Sequence, residues 1–165
     1  MLTDNSNAMK RILITGMSGV GKSSVIGELK SLGYPAFDID TDEWCEWKTD
    51  ANGNSERQWR EDKVQALLEK DFDAPLFLSG CESNQGKFYL QFDYVVLLSA
   101  PLEILLKRVA KRTNNPYGKS DEEREEMMEN TELIEPLLRS GCDVEIDTSQ
   151  FNSQQVADKL IGLAK

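Results

Sequence analysis

The sequence predicts a three-layer α/β fold, a parallel five-stranded sheet covered by helices on both faces, and three observations carry that prediction. Five short apolar runs alternate with segments whose apolar residues recur at helical spacing, as strands joined by crossover helices do. Two of the runs, residues 76–80 and 94–98, are apolar enough to be buried on both faces, the mark of a parallel sheet. The first run leads into a glycine-rich turn and then a helix, the kind of junction where open α/β sheets bind ligands.

The elements follow in order. Residues 11–15 form the first strand and residues 24–32 the first helix, which Gly33-Tyr34-Pro35 stops. Residues 36–40 form a short second strand that runs into an acidic segment with Trp44 and Trp47. Residues 48–55, with Asn52-Gly53-Asn54, are expected to be an exposed loop. Trp59, Val64, Leu67 and Leu68 then predict a helix over residues 56–70, closed by Pro75. After the third and fourth strands, Ser99 is the expected cap of a helix with Pro101 in its first turn and Leu102, Leu105, Leu106 and Val109 as its apolar stripe. Thr113 to Gly118 breaks this helix into a loop. Ser120-Asp121-Glu122-Glu123 is a capping box for a helix that reaches about Arg139 and ends at Gly141. Residues 144–146 are the fifth strand and residues 153–164 the last helix.

Length and composition bound the function. A chain of 165 residues makes one domain; residues 1–8 are polar and expected to be disordered, leaving 9–165 as the folded unit. The formal charge of −10, from 19 Lys plus Arg against 29 Asp plus Glu, repels a phosphate backbone and argues against nucleic acid as a partner. Cys45, Cys81 and Cys142 are odd in number and contain no C-x-x-C pair, which fits a reducing cytoplasmic setting. The absence of histidine excludes a Ser-His-Asp arrangement and any zinc site built on imidazole. No apolar run is long enough for a membrane span, and a monomer or weak dimer is expected.

The chemistry is concentrated in Gly16-Met17-Ser18-Gly19-Val20-Gly21-Lys22-Ser23, a full match to G-x-x-x-x-G-K-[ST] on a strand-to-helix turn. Its glycines let successive N–H groups point inward at phosphate oxygens, and the helix that Ser24 continues adds its positive end. Lys22 is the expected partner of the β- and γ-phosphates of ATP, and Ser23 offers a hydroxyl to Mg²⁺, a hard ion that prefers oxygen. Asp38, Asp40 and Asp42 are spaced by two, so an extended chain projects all three to one side at a strand's carboxyl end. Two carboxylates there suit phosphoryl transfer, one for Mg²⁺ and one for the attacking hydroxyl. Lys107, Arg108, Lys111, Arg112 and Lys119 form a cationic cluster in an acidic chain. Arg108 and Arg112 share a helix face, and Arg112 leads into a loop that can close over phosphates.

With these residues in place, the order of motifs resembles the shikimate kinase and nucleoside monophosphate kinase group of small P-loop kinases, over nearly the whole chain. The resemblance implies a P-loop NTPase fold with strand order 2-3-1-4-5 and a small lid carrying Arg112. It implies Asp38 as the Mg²⁺-linked aspartate, Asp40 as the holder of the acceptor hydroxyl, and Asp147-Thr148-Ser149 as a stretch near the adenine. Gly80 falls at the third-strand end, where shikimate kinases carry three successive glycines and this chain has Gly80-Cys81-Glu82. Their F-R-x-x-E motif is represented by Trp59-Arg60-Glu61-Asp62-Lys63, with Lys in place of Glu, and their late substrate arginine has no counterpart near Ile134-Glu135-Pro136-Leu137-Leu138. The lost cation and the added Glu82 argue against shikimate as acceptor. Arg57, Arg60 and Arg139 are the remaining candidates for contacting it, and Trp44, Trp47 and Trp59 can stack on a ring.

The function expected is transfer of the γ-phosphoryl group of ATP to a hydroxyl or phosphate of a small metabolite. The alternatives are a nucleoside or nucleotide kinase, or a nucleotide-dependent regulatory switch. A GTPase lacks support because Asn84-Gln85-Gly86-Lys87 is not N-K-x-D, and the third strand ends in Ser79-Gly80 rather than the Asp of a motor-type ATPase.

Overall fold

The apolar runs pair in the order their burial demands. A computed structural model describes residues 9–112 and 118–165; the segment expected to be disordered, residues 1–8, and residues 113–117 of the expected lid loop lie outside the described residues. The elements are β1 (Arg11–Thr15), α1 (Lys22–Ser31), β2 (Ala36–Asp38), β3 (Cys45–Thr49), β4 (Ser55–Trp59) and α2 (Glu61–Leu68), followed by β5 (Leu76–Ser79) and a 3₁₀ helix over Gln85–Gln91. They continue with β6 (Tyr94–Ser99), α3 (Leu102–Lys111), α4 (Asp121–Gly141), β7 (Val144–Asp147) and α5 (Ser153–Leu163). The main sheet has the order β2-β5-β1-β6-β7 and all its pairings are parallel. Numbered among themselves, its five strands read 2-3-1-4-5, the expected order.

Alternation along the strands explains the two faces. Ile12, Ile14, Phe77, Val96 and Leu98 pack against Val25, Ile26 and Leu29 of α1 and Val156, Ala157 and Leu160 of α5. Leu13, Leu76, Leu78 and Val95 face the other way, onto Trp59, Val64, Leu67 and Leu68. Neighbouring residues of one strand thus enter opposite cores, which is why the runs are apolar rather than alternating.

Three expectations are corrected. Residues 56–59 are not helical: Ser55–Trp59 pairs antiparallel with Cys45–Thr49 in a separate two-stranded hairpin, and the expected loop over residues 48–55 is partly strand. The turn is built by Asp50, whose Oδ1 accepts from the N–H groups of Asn52 and Asn54, each at 2.9 Å. Ser99 does not cap α3; its hydroxyl donates to Glu145 Oε2 at 2.8 Å, and Pro101 occupies the N-cap position. The three aspartates diverge, because the strand ends at Asp38 and the chain bends at Asp40 and Thr41: Asp38 meets Ser23, Asp40 meets Trp59 and the Cys81 N–H, and Asp42 stays exposed beside Arg57. The Ser120 cap is present, with its Oγ accepting from the Glu123 N–H at 3.2 Å. Among the described residues no helix is long and apolar enough to cross a membrane.

Candidate functional site

The site is assembled at the carboxyl ends of β1, β2 and β5. Between β1 and α1 the backbone turns through Gly16 at φ 151°, and a Cβ at that position would collide with the Leu98 carbonyl oxygen and the Val20 side chain. Only glycine fits there, so the turn is fixed by sequence. Lys22 Nζ folds back over the turn, donating to the carbonyl oxygens of Gly16 and of Met17, the latter at 3.3 Å. Met17, Ser18 and Gly19 complete the turn into α1, and Arg112 Nη1 donates to Ser18 Oγ at 3.3 Å, bringing the cationic end of α3 to the loop.

At the start of α1, Ser23 Oγ donates to Asp38 Oδ2 at 3.2 Å. A hydroxyl and a carboxylate side by side are hard oxygen donors, and that donor set fits Mg²⁺. Asp38 Oδ1 accepts from the Asp40 N–H at 3.1 Å, which turns the chain and sends the Asp40 side chain inward. Asp40 Oδ1 accepts from Trp59 Nε1 at 3.1 Å and Oδ2 from the Cys81 N–H at 2.8 Å. Burial pushes the Asp40 carboxyl above its ordinary value, against the opposing pull of the Lys22 charge and these hydrogen bonds. Gly80, itself buried, lies directly under Asp40 and Trp59.

The hairpin supplies the next wall. Arg57 Nη1 donates to Glu82 Oε1 at 3.0 Å, and Nη2 donates to the Asp40 carbonyl oxygen at 2.8 Å and to Asp42 Oδ1 at 3.2 Å. Glu82 is pushed up to about 7 by burial and by the nearby Asp40 charge, with Arg57 acting in the opposite direction. Cys45 Sγ lies 3.2 Å from the Ile39 carbonyl oxygen in the same cluster, and burial raises its thiol to about 12, so it is not a thiolate at neutral pH.

On the other side of the phosphate turn lies a cavity of about 280 Å³ whose lining includes Gly21, Ser24, Arg108, Thr148, Phe151 and Asn152. Arg108 ties its walls together: Nη1 donates to the Gly19 carbonyl oxygen at 3.2 Å and to Thr148 Oγ1 at 2.8 Å, and Nη2 to the Thr148 carbonyl oxygen at 2.8 Å. Thr148 Oγ1 in turn donates to the Val20 carbonyl oxygen at 2.8 Å. Asp147 Oδ1 accepts from Ser149 N–H and Oγ at 2.9 and 2.6 Å, and these bonds hold the Asp147 carboxyl below its ordinary value.

Of the sequence-predicted residues, Gly16 to Ser24, Asp38, Asp40, Arg57, Gly80, Arg108, Arg112 and residues 147–149 are thus brought around one turn. Two are not. Arg60 pairs with Glu46 at 3.3 Å on the hairpin. Arg139 pairs with Glu145 at 2.7 Å and Glu135 at 2.8 Å beside β7, at the opposite sheet edge from β2. Of the tryptophans, Trp59 is fully buried and Trp44 is packed between Phe37 and the Lys63 ammonium, whereas Trp47 is 70% exposed. Two residues that sequence reasoning missed hold the site in place. Asn84 is buried and accepts from the Trp59 N–H while donating to the Trp59 carbonyl oxygen, both at 3.0 Å; Gln85 Nε2 donates to Thr15 Oγ1 at 3.0 Å. No pattern in the sequence marks them, because their roles exist only once the hairpin is docked.

A family model described as AAA domain matches residues 12–129. A protein of Thermosipho melanesiensis described as a nucleotide-binding protein is 25% identical over 154 residues, covering 92% of this chain and 52% of that protein. The chain therefore spans about half the length of the nucleotide-binding relatives it matches. A shikimate kinase of Francisella philomiragia is 26% identical over 163 residues, covering 92% of each chain. The solved structure of the Acinetobacter baumannii shikimate kinase in complex with shikimate has a TM-score of 0.65 at 20% identity, covering 95% of this chain and 93% of that one. With the family match running from β1 into α4, the chain belongs to the AAA domain family, as a small P-loop protein with the fold of the shikimate kinases.

Proposed function

We propose that this chain, with residues 9–165 acting as one unit, is an ATP-dependent phosphotransferase that moves the γ-phosphoryl group to a hydroxyl or phosphate of a small acceptor other than shikimate. The observation that carries the reading is Asp40: a carboxylate held by Trp59 and Cys81, within the field of Lys22, beside a phosphate-binding turn. A carboxylate so placed orients an acceptor hydroxyl and takes its proton as the phosphorus–oxygen bond forms. Lys22 and the turn's N–H groups hold the phosphates, and Arg112 neutralises charge from the α3 side. Ser23 and Asp38 would hold Mg²⁺, which when bound screens the charge of the transferred group. Arg108, Thr148 and the cavity beside them take the base and ribose end. Catalysis on this reading is alignment and charge neutralisation, with no covalent intermediate on the protein.

The test is ADP formation from ATP and Mg²⁺ across a panel of acceptors, with Lys22→Ala as the blank. Acceptor-stimulated ADP release by the natural protein and its loss in Lys22→Ala is the expected result; an equal rate in the two proteins refutes the assignment. The nucleotide-binding relatives, about twice as long as this chain, favour a second reading as a nucleotide-dependent regulatory switch. That reading expects nucleotide-dependent partner binding with no acceptor-stimulated ADP release.

A further inference from the structure

The charge on the hairpin wall bears on which acceptor enters, given the reading of Asp40 as the carboxylate that orients the acceptor hydroxyl. The hairpin brings one arginine to this side, Arg57, and it is matched; Arg60 leaves the opposite face with Glu46. Arg57 is held by Glu82 at 3.0 Å, in a pair whose side chains are 28% and 13% exposed, and its second nitrogen is bound to the Asp40 carbonyl oxygen and to Asp42. Ligand atoms of Asp40, Glu82 and Cys45 lie within 4.8 Å of one another, so an incoming anion would meet two carboxylates, and the guanidinium that could greet it is already engaged. Trp47 stands directly across the hairpin from Arg57, so its side chain leaves the same face and offers an exposed ring there. Carboxylates beside an aromatic face suit a hydroxylated ring or an ammonium group, and oppose a carboxylate or phosphate.

We propose that Glu82 sets the acceptor's charge: by holding Arg57 it leaves the hairpin wall, among the described residues, without an available cation, Lys22 being committed to the phosphates, so the site takes a hydroxyl compound that is neutral or amine-bearing and rejects carboxylates and phosphate monoesters. The transferred phosphoryl group then goes to a hydroxyl oxygen, whose proton leaves with Asp40, and ADP departs with the bridging oxygen. Glu82 is a specificity-determining residue that acts through Arg57 and takes no part in the bond exchange.

The experiment has two arms at pH 8. In the first, ADP formation is measured with neutral polyols and nucleosides, with amino alcohols, and with hydroxy acids and nucleoside monophosphates. The natural protein is expected to use a neutral or amine-bearing acceptor at least tenfold better than any anionic one; preference for an anionic acceptor overturns the proposal. In the second, protein saturated with a non-hydrolysable ATP analogue is titrated calorimetrically with the hydroxy acid shikimate. Glu82→Gln should bind it at least tenfold more tightly than the natural protein, and the double variant Glu82→Gln/Arg57→Gln should lose that gain. Equal binding by the natural protein and Glu82→Gln overturns the proposal whatever the turnover. Gain of binding in Glu82→Gln with no turnover of any acceptor supports the charge rule and removes the kinase reading instead. Should Glu82→Gln not fold, tight shikimate binding by the natural protein still refutes the proposal, and preference for a neutral acceptor over an anionic one supports it.

Discussion

Gly80 is the position at which the proposed acceptor-orienting carboxylate is most sensitive to one added carbon. A Cβ there would stand 2.6 Å from Asp40 Oδ1, 2.8 Å from Trp59 Cζ2 and 3.0 Å from Trp59 Nε1. Non-bonded carbon contacts settle at about 3.5–4.0 Å, so Gly80→Ala demands about an ångström of movement. Neither neighbour can easily give it. Asp40 is held from both sides by Trp59 and the Cys81 N–H, and Trp59 is fully buried with Phe88 at 6.0 Å between ring centroids. Overpacking of this kind costs about 1–3 kcal/mol, and loss of the Trp59–Asp40 hydrogen bond inside the protein adds about 1–2 kcal/mol. The sum, about 2–5 kcal/mol, lowers the melting temperature by about 6–15 °C at roughly 3 °C per kcal/mol for a domain of this size. Calorimetric melting reads the first effect. Acceptor-dependent ADP formation reads the second and should fall at least about tenfold, because a misplaced carboxylate no longer aligns the hydroxyl. ATP affinity should stay within about twofold, since the phosphate-binding turn lies outside the collision. A Gly80→Ala protein that melts with the natural one and keeps full turnover would show that Asp40 and Trp59 are not jointly fixed at this point, and the acceptor hydroxyl would have to be oriented elsewhere.

Two further outcomes follow from the same geometry. Arg108→Ala removes three hydrogen bonds linking Gly19 to Thr148. It should cost about 2–4 kcal/mol in urea unfolding and weaken ATP binding about tenfold, and Arg108→Lys should not rescue it, because an ammonium cannot make the forked contact; full rescue by Lys would refute the bridging role. Glu82 gives a pH signature. Its carboxyl is raised from the ordinary 4.5 to about 7, so between these values the folded chain keeps a proton that the unfolded chain releases. Its contribution is therefore fully present below about pH 4.5, declines as pH rises to about 7 and is flat above; the total change is up to about 3 kcal/mol. Glu82→Gln should remove this slope, and identical pH dependence of the urea midpoint in the two proteins from pH 5 to 8 would refute the shift.

The proposed nucleotide half of the site was legible in the sequence, whereas of the proposed acceptor half Asp40, Arg57 and Gly80 were named without the partners that hold them, for a physical reason. At Gly16 the backbone itself is the working part, and a backbone path that excludes a Cβ must be written as glycine, so the turn shows in the residue string. The buried strands show in the same way, because both faces of the sheet require apolar residues. The hairpin is different. Trp59, Val64, Leu67 and Leu68 enter the same core and so mimic one continuous helix, although the chain is extended at Arg60 with ψ 100° before α2 begins. The alternation Cys45-Glu46-Trp47-Lys48-Thr49 and the turn residues Asn52-Gly53 did carry a hairpin signal, but the helical spacing after it was the longer pattern. Misreading the hairpin then hid the chemistry. Arg57 reads as an anion contact in a string of residues; its partner Glu82 lies 25 residues away, and only antiparallel pairing with Cys45–Thr49 carries Arg57 to it. Asn84, also 25 residues from Trp59, closes the hairpin's inner end onto the sheet. Acceptor selection on this reading resides in charge pairs between elements rather than in a motif, so a relative that keeps every residue of the phosphate-binding turn but lacks a carboxylate at position 82 should accept a different class of substrate.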